Sequence, residues 1–343
     1  MAAEKEMVLV TGGSGFIAVH IILKLLKQGY CVRTTLRSLS RQDEVKSMLS
    51  QGGVTDFANL EFIQADLTSD KNWREAAIGA AYVIHVASPT PATRPDDGNE
   101  MIKMAVDGVS RVMKAAKEAG VKRVVLTSAS GAVIAGHKSH AKPFTEEDWT
   151  DLTGNVDAYQ RSKTLAERAA WEFAKKENLE LSAVNPVAVM GPVLGKDFSH
   201  SNQIIRSMLT GKMPFLLKMG FDYVDVRDVA DLHLLAMTRA EAAGERFLAT
   251  AGENLTYKEE AEILRKHLGS AAKEVSTRVI PNFLVRFLAL FVKSYRMPAT
   301  FLGKNTACSN AKAKNLLGWQ PRPAEEAIVA TAKSMVELGL IDR

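Results

Sequence analysis

Residues 7–37, MVLVTGGSGFIAVHIILKLLKQGYCVRTTLR, constrain the fold of this chain more than any other stretch. They read as an apolar strand, a glycine turn, an amphipathic helix and a second strand about thirty residues on, the frame of a βαβ unit. Gly12, Gly13 and Gly15 sit at the turn. Positions without side chains let backbone approach a pyrophosphate, and the first N–H groups of the following helix, at its positive dipole end, offer an anion site. Many helix starts share a bare G-x-x-G, so the flanking strands carry the argument for a dinucleotide. The pattern is T-G-x-x-G-x-x-A, which puts Ala18 where a third glycine often allows close helix packing.

The end of the second strand bears on which dinucleotide. NAD sites place an acidic residue there to bind the ribose 2′-hydroxyl. Here the strand runs into Thr35, Leu36, Arg37 and Ser38. An arginine without a neighbouring carboxylate suits a 2′-phosphate, because its planar fork binds phosphate bidentately. NADPH or NADP is therefore expected over NAD. The competing reading leaves Arg37 solvated and gives the contact to Arg33 or Arg41.

Strand-like runs at VLV, YCVRTTL, EFIQA, YVIHVAS, RVVLTSA and LSAVNPV alternate with helical stretches. That alternation predicts an α/β fold with a Rossmann-like, doubly wound parallel sheet. With 343 residues the chain has length for about two domains.

In the middle, VDAYQRSKTLAERAAWEFAKK places Tyr159 four residues before Lys163 on one face of a predicted helix. A phenol near pKa 10 exchanges protons poorly at neutral pH, and a cation beside it favours the phenolate. The pair thus points to acid/base chemistry. An isolated Y-x-x-x-K is more often a packed tyrosine and a solvated lysine, so the weight comes from context.

TGGSGFIA, ADLTS (65–69), HVASP (85–89), YQRSK, NPVAVMGP (185–192) and YVDVRDVADLH (223–233) occur in that order. Across nearly its whole length the chain resembles the extended short-chain dehydrogenases/reductases. Within them it is similar to the branch of dihydroflavonol 4-reductases, cinnamoyl-CoA reductases and microbial NADPH-dependent aldehyde and ketone reductases. The resemblance implies hydride transfer from a nicotinamide to a carbonyl carbon, with a smaller, mainly C-terminal substrate domain. It divides the chain into a discontinuous NADP-binding domain (1–189 and 223–250) and a substrate domain (190–222 and 251–343).

It also implies roles. Tyr159 protonates the carbonyl oxygen, and Lys163 lowers its pKa and holds the nicotinamide ribose. Gly12, Gly15, Phe16 and Ile17 fall at the pyrophosphate turn, and Arg37 falls at the 2′-phosphate. Asp66 and Leu67 grip the adenine, Ala87 walls the cleft, and Pro186 and Val189 lie along the nicotinamide. Asp66 and Leu67 read equally as a strand-end cap and a core residue. One position departs from the family. Dihydroflavonol reductases carry T-S-S after the fifth strand and use the second serine, whereas Thr127, Ser128, Ala129 and Ser130 here put alanine in that register. Ser128 or Ser130 must supply the hydroxyl, and Ser128 is the expected one.

Other functions find little support. The net charge of +5 is spread among 39 acidic residues with no basic run, so no nucleic-acid partner is expected. Cys31 and Cys308 have neither metal nor disulfide-framework spacing, and His85, His137, His140, His200 and His233 do not cluster, so no metal is expected. Met1 to Glu6 is short and charged, unlike a signal peptide, and a cytoplasmic location fits. VIPNFLVRFLALFVKSY contains Pro281 and Arg286 and falls short of the roughly 20 apolar residues of a span. Its main reading is an amphipathic helix over the substrate pocket, and the other is a surface patch for a membrane or partner. No membrane partner is expected.

The expected activity is NADPH-dependent reduction of a small-molecule aldehyde or ketone, reversible, by a monomer or homodimer. Two alternatives stand beside it: an NAD-dependent sugar-nucleotide epimerase/dehydratase, and a non-catalytic NADP-binding sensor. Phe198, Phe215, Met219 and Phe221 suggest an apolar substrate region.

Overall fold

A computed structural model describes residues 6–89, 98–138, 142–196, 199–292, 295, 299 and 302–341. His140 and Phe198 lie outside the described residues. Ten strands are present among them: β1 Met7–Val10, β2 Cys31–Leu36, β3 Leu60–Gln64, β4 Ala80–His85, β5 Arg123–Thr127, β6 Glu180–Pro186, β7 Ala188–Met190, β8 Gly220–Asp225, β9 Arg246–Ala249 and β10 Asn254–Thr256. Seven form one sheet in the order β3-β2-β1-β4-β5-β6-β9, every pair parallel. The chain reverses its winding direction between β1 and β4, the switch point at which such sheets open a crevice.

Period-two alternation sorts the side chains of this sheet onto two cores. Val8, Val10, Ile84, Val125 and Val184 join one cluster, whereas Leu9, Val83, Val124, Leu126 and Leu181 join the other. Helices cover both faces. On the first lie α1 (Phe16–Lys27) and α2 (Gln42–Gln51), together with α7 (Val226–Thr238), which packs on α1. Across the other face run α3 (Trp73–Ala77), α4 (Gly98–Glu118) and α5 (Ala158–Glu177). Ile21, Ile22 and Leu25 of α1 are fully buried at helical spacing, each contributing about 1.5–3 kcal/mol.

The remaining strands form a smaller sheet, β10-β8-β7, with β8 parallel to β7 and antiparallel to β10. Residues 188–190 and 220–225 thus pair with each other outside the large sheet, and α7 then returns to it. The division expected at 190 and 223 runs through these strands. Around the small sheet lie α6 (His200–Leu209), α8 (Tyr257–Leu268) and the helix Ala324–Glu337, with the helix Ala311–Leu317 closer to β9. Thr331 of the long C-terminal helix accepts from the Gly191 N–H at 2.6 Å and donates to its carbonyl at 3.0 Å. Helix α9 (Asn282–Phe291) packs through Val285 and Leu288 onto Met219, Ile280 and Leu302. No described helix is long and apolar enough to cross a membrane.

Candidate active site

The carboxyl ends of β1, β2 and β4 meet at the glycine corner. Gly12 has φ +73, and a Cβ there would lie 3.1 Å from both Cα and Cβ of Ala87. A Cβ on Gly13 would fall 2.2 Å from Thr34 Oγ1. Glycine is therefore required at both positions, at Gly12 by conformation as well as by space. Thr11 stitches β1 to β4: its Oγ1 accepts from the N–H groups of Val86 and Ala87, both at 3.0 Å, and meets His85 Nδ1 at 2.8 Å. Helix α1 starts from Gly15 with no side-chain cap and no acidic residue in its first turn. Its leading N–H groups, at Phe16 and Ile17, face no competing carboxylate of their own helix. Such a corner fits a pyrophosphate.

Three arginines compete for the place beside it, and their contacts separate them. Arg33 donates to Glu61 at 2.9 Å and to the carbonyl of Ile78 at 2.6 Å. Arg41 grips Glu44 with two nitrogens, at 2.7 and 2.8 Å, and reaches Ser14 Oγ at 3.0 Å. Arg37 is exposed at the end of β2, and its side chain has no partner among the described residues. At the end of β3, Asp66 Oδ1 accepts from the Thr68 N–H and hydroxyl, both at 2.8 Å, so that oxygen closes a turn. Leu67 is buried and shares a cavity wall with Ala87, Pro89 and Lys163.

Helix α5 begins where it does because of a capping box. Asp157 accepts from the Gln160 N–H at 2.7 Å, and Gln160 Oε1 accepts from the Asp157 N–H at 3.2 Å, worth about 1 kcal/mol. This start puts Tyr159, Lys163 and Glu167 on one face at successive turns. The Tyr159 ring lies against the turn after β5: a Cβ built on Gly131 would be 3.6 Å from Tyr159 Cε1. Lys163 lines a cavity at the carboxyl edge of the sheet with His85, Ala87, Ser88, Ser128 and Glu167.

Burial dominates the electrostatics here. Protein crowds the Tyr159 phenol although 49% of the residue's surface still meets solvent. Loss of hydration and, secondarily, the Asp157 charge push its pKa up to about 12. The expectation from the sequence is a value drawn down by Lys163; in the chain alone, desolvation of the phenolate and the Asp157 charge both act the other way. Lys163 itself is lowered to about 8 by desolvation, against which the Glu167 carboxylate pulls upward.

Glu167, absent from the sequence expectations, is the hub beneath the site. It is fully buried, accepting from Ser128 Oγ at 2.6 Å, Asn185 Nδ2 at 2.8 Å, Arg246 Nε at 2.6 Å and Trp171 Nε1 at 3.2 Å. Arg246 stacks 3.8 Å from the Trp149 ring centre. The i+4 spacing of Glu167 from Lys163 is the signal in the sequence that could have found it. Ser128, the expected third catalytic hydroxyl, is buried and directs its one proton to this hub. Ala129 offers none. Ser130, half-buried in the next turn beside Gly131, has a hydroxyl without a hydrogen-bond partner among the described residues.

Pro186 ends β6 and Val189 lies in β7, both buried. Met219 packs into the α9 cluster and Phe221 lies 5.2 Å from the Tyr257 ring, so both act in packing, while Phe215 is exposed. The histidines are dispersed. His233 is buried between Thr127 Oγ1 at 2.8 Å and the Val229 carbonyl at 2.7 Å, and His137 reaches the Val133 carbonyl at 3.2 Å. Burial lowers His85 to about 3, aided by the Lys163 charge. Among the described residues no three His, Cys, Asp or Glu side chains gather as a metal site, and Cys31 and Cys308 are free thiols.

Comparison with known proteins places this site in a family. The model of the NAD dependent epimerase/dehydratase family matches residues 8–249. The chain is 31% identical to the bifunctional dihydroflavonol 4-reductase/flavanone 4-reductase of Pyrus communis, covering 98% of this chain and 99% of that one. It is 33% identical to cinnamoyl-CoA reductase 1 of Petunia hybrida, over 97% and 93%. Among solved structures, the yeast methylglyoxal/isovaleraldehyde reductase Gre2 complexed with NADPH matches with a TM-score of 0.81 at 27% identity, covering 98% of this chain and 100% of that one. From its glycine corner through β9, the chain belongs to the NAD dependent epimerase/dehydratase family, as an extended short-chain dehydrogenase/reductase of the dihydroflavonol reductase and cinnamoyl-CoA reductase branch.

Proposed function

We propose that the protein is an NADPH-dependent carbonyl reductase, converting an aldehyde or ketone to the alcohol and running reversibly as an alcohol dehydrogenase. The observation that carries this reading is the position of Lys163, in one cavity wall with Ala87 and Ser88 at the switch point, while Tyr159, one turn earlier, opens to solvent. When bound, the reduced nicotinamide supplies the hydride. The chain supplies the rest. Gly12, Gly13 and the start of α1 receive the pyrophosphate, and Arg37, the arginine left without a carboxylate, receives the 2′-phosphate. Asp66 and Leu67 lie at the adenine end, with Pro186 and Val189 toward the nicotinamide.

Tyr159 holds its proton at neutral pH, the state a donor to a carbonyl oxygen needs. Lys163, near 8, is mostly charged at neutral pH and can hold ribose hydroxyls. Ser130 orients the substrate carbonyl, since the Ser128 proton is directed to Glu167. The relatives named as dihydroflavonol, cinnamoyl-CoA and methylglyoxal reductases all reduce carbonyl groups, which supports the reaction class and leaves the substrate open.

The test is an NADPH-oxidation screen over aldehydes, diketones, keto esters and flavonoid ketones. Turnover with NADPH on at least one class is expected. Protein that retains NAD through purification and oxidises NADPH with none of them would overturn the proposal in favour of an epimerase or dehydratase.

A further inference from the structure

Helix α9, NFLVRFLALF, is apolar on two faces and buries one. Val285 is fully buried, with Leu288 packed beside it. On the opposite side Phe283, Phe287, Leu290 and Phe291 are 74%, 56%, 68% and 72% exposed. They stand at i, i+4, i+7 and i+8, one helical stripe. Phe215 and Val279, on segments bridged through Leu216 and Val279 just before the helix, are also exposed. Single exposed apolar residues are ordinary, whereas a stripe of this size marks a contact surface.

Charge selects the partner. From Val275 to Ala324 the sequence holds eight lysines and arginines and no aspartate or glutamate. Arg286 flanks the stripe on the helix itself, and Arg278 precedes the helix. Lys218 precedes Met219 and Lys304 follows Leu302 by two residues, and Met219 and Leu302 pack under the helix. All four are exposed, and none has an ion pair among the described residues. A second copy of this face would meet like charge, which is unfavourable, while an acidic headgroup layer meets opposite charge.

We infer that α9 docks the protein on an anionic bilayer surface, its aromatic stripe entering the interfacial zone and its basic flanks lying among the headgroups. With ten residues the helix is too short to span and lies in the plane of the interface.

Co-sedimentation of the full chain with vesicles of phosphatidylcholine containing about one-third phosphatidylserine tests this, with pure phosphatidylcholine as control. Binding to the acidic vesicles is expected, weakening as salt rises. F287D/L290D should lower it at least tenfold. R278Q/R286Q should lower it by roughly thirtyfold for the two charges, at unchanged NADPH affinity and melting temperature. Three results overturn the inference: no preference for acidic vesicles, equal binding by parent and both variants, or a parent dimer in light scattering that F287D/L290D converts to monomer.

Discussion

Ser128 Oγ donates to Glu167 Oε2 at 2.6 Å, which ties the serine expected to be catalytic into the buried network that also faces Lys163. The two serines around Ala129 therefore carry separate predictions. Ser130→Ala should lower kcat/KM by about a hundredfold to a thousandfold, as removal of an oxyanion-type donor does. Ser128→Ala should instead destabilise the fold by roughly 1.5–3 kcal/mol through loss of a hydrogen bond to a charged group, read from urea unfolding. A large loss of turnover in Ser128→Ala with an active Ser130→Ala would reverse the assignment.

Glu167 opposes the desolvation that lowers Lys163 to about 8. Removing its charge in Glu167→Gln should lower the Lys163 value further, so the alkaline limb of the kcat pH profile moves to lower pH. Arg246 loses its counter-charge in the same variant, with a stability loss of roughly 3–5 kcal/mol. The profile is accordingly measured at a temperature where circular dichroism shows the variant folded. An unmoved limb contradicts the link between the two residues.

Arg37 should discriminate between cofactors. Arg37→Ala removes the free guanidinium while Arg33 and Arg41 keep their carboxylates, so NADPH affinity should fall by about tenfold to a hundredfold with NADH affinity little changed. Fluorescence titration with both cofactors reads this directly, and equal losses for both would remove the 2′-phosphate role.

Glu260 gives stability an opposite pH trend from that of ordinary carboxylates. It is buried, Tyr223 Oη donates to Oε2 at 3.0 Å, and Oε1 has no partner among the described residues. Burial raises its value from 4.5 to about 8, the Tyr223 hydrogen bond opposing. Such a group stabilises the fold fully below about 4.5, and that stability is lost as pH rises through about 8, at roughly 1.4 kcal/mol per pH unit across the window. Melting temperatures of Glu260→Gln should therefore fall less than those of the parent between those limits; parallel curves would show that Glu260 does not titrate there.

The parts of this protein legible in its sequence are those set by local spacing. The glycine corner, the alternation of β1 into Val8 and Val10 on one side and Leu9 on the other, and the helical phase of Tyr159 and Lys163 all follow from periods of 2 and 3.6. Side-chain direction across the fold does not follow from such periods. Glu167 gathers Ser128, Asn185 and Arg246 from 39, 18 and 79 residues away, so only the assembled sheet reveals where the Ser128 proton goes. Likewise Met219 and Phe221 look the same in sequence whether they line a pocket or fill a core, and packing on α9 and Tyr257 decides for the core. The Tyr159 pKa likewise depends on everything packed around the ring, where desolvation raises it, and not only on the lysine one turn away.

The central claim is that Tyr159 delivers a proton while contributing little to cofactor binding. Tyr159→Phe keeps the ring against Gly131 and removes only the hydroxyl, so it is the most direct test. Single-turnover NADPH oxidation should be abolished in the variant, with NADPH affinity close to that of the parent. Retained turnover in Tyr159→Phe would contradict the account.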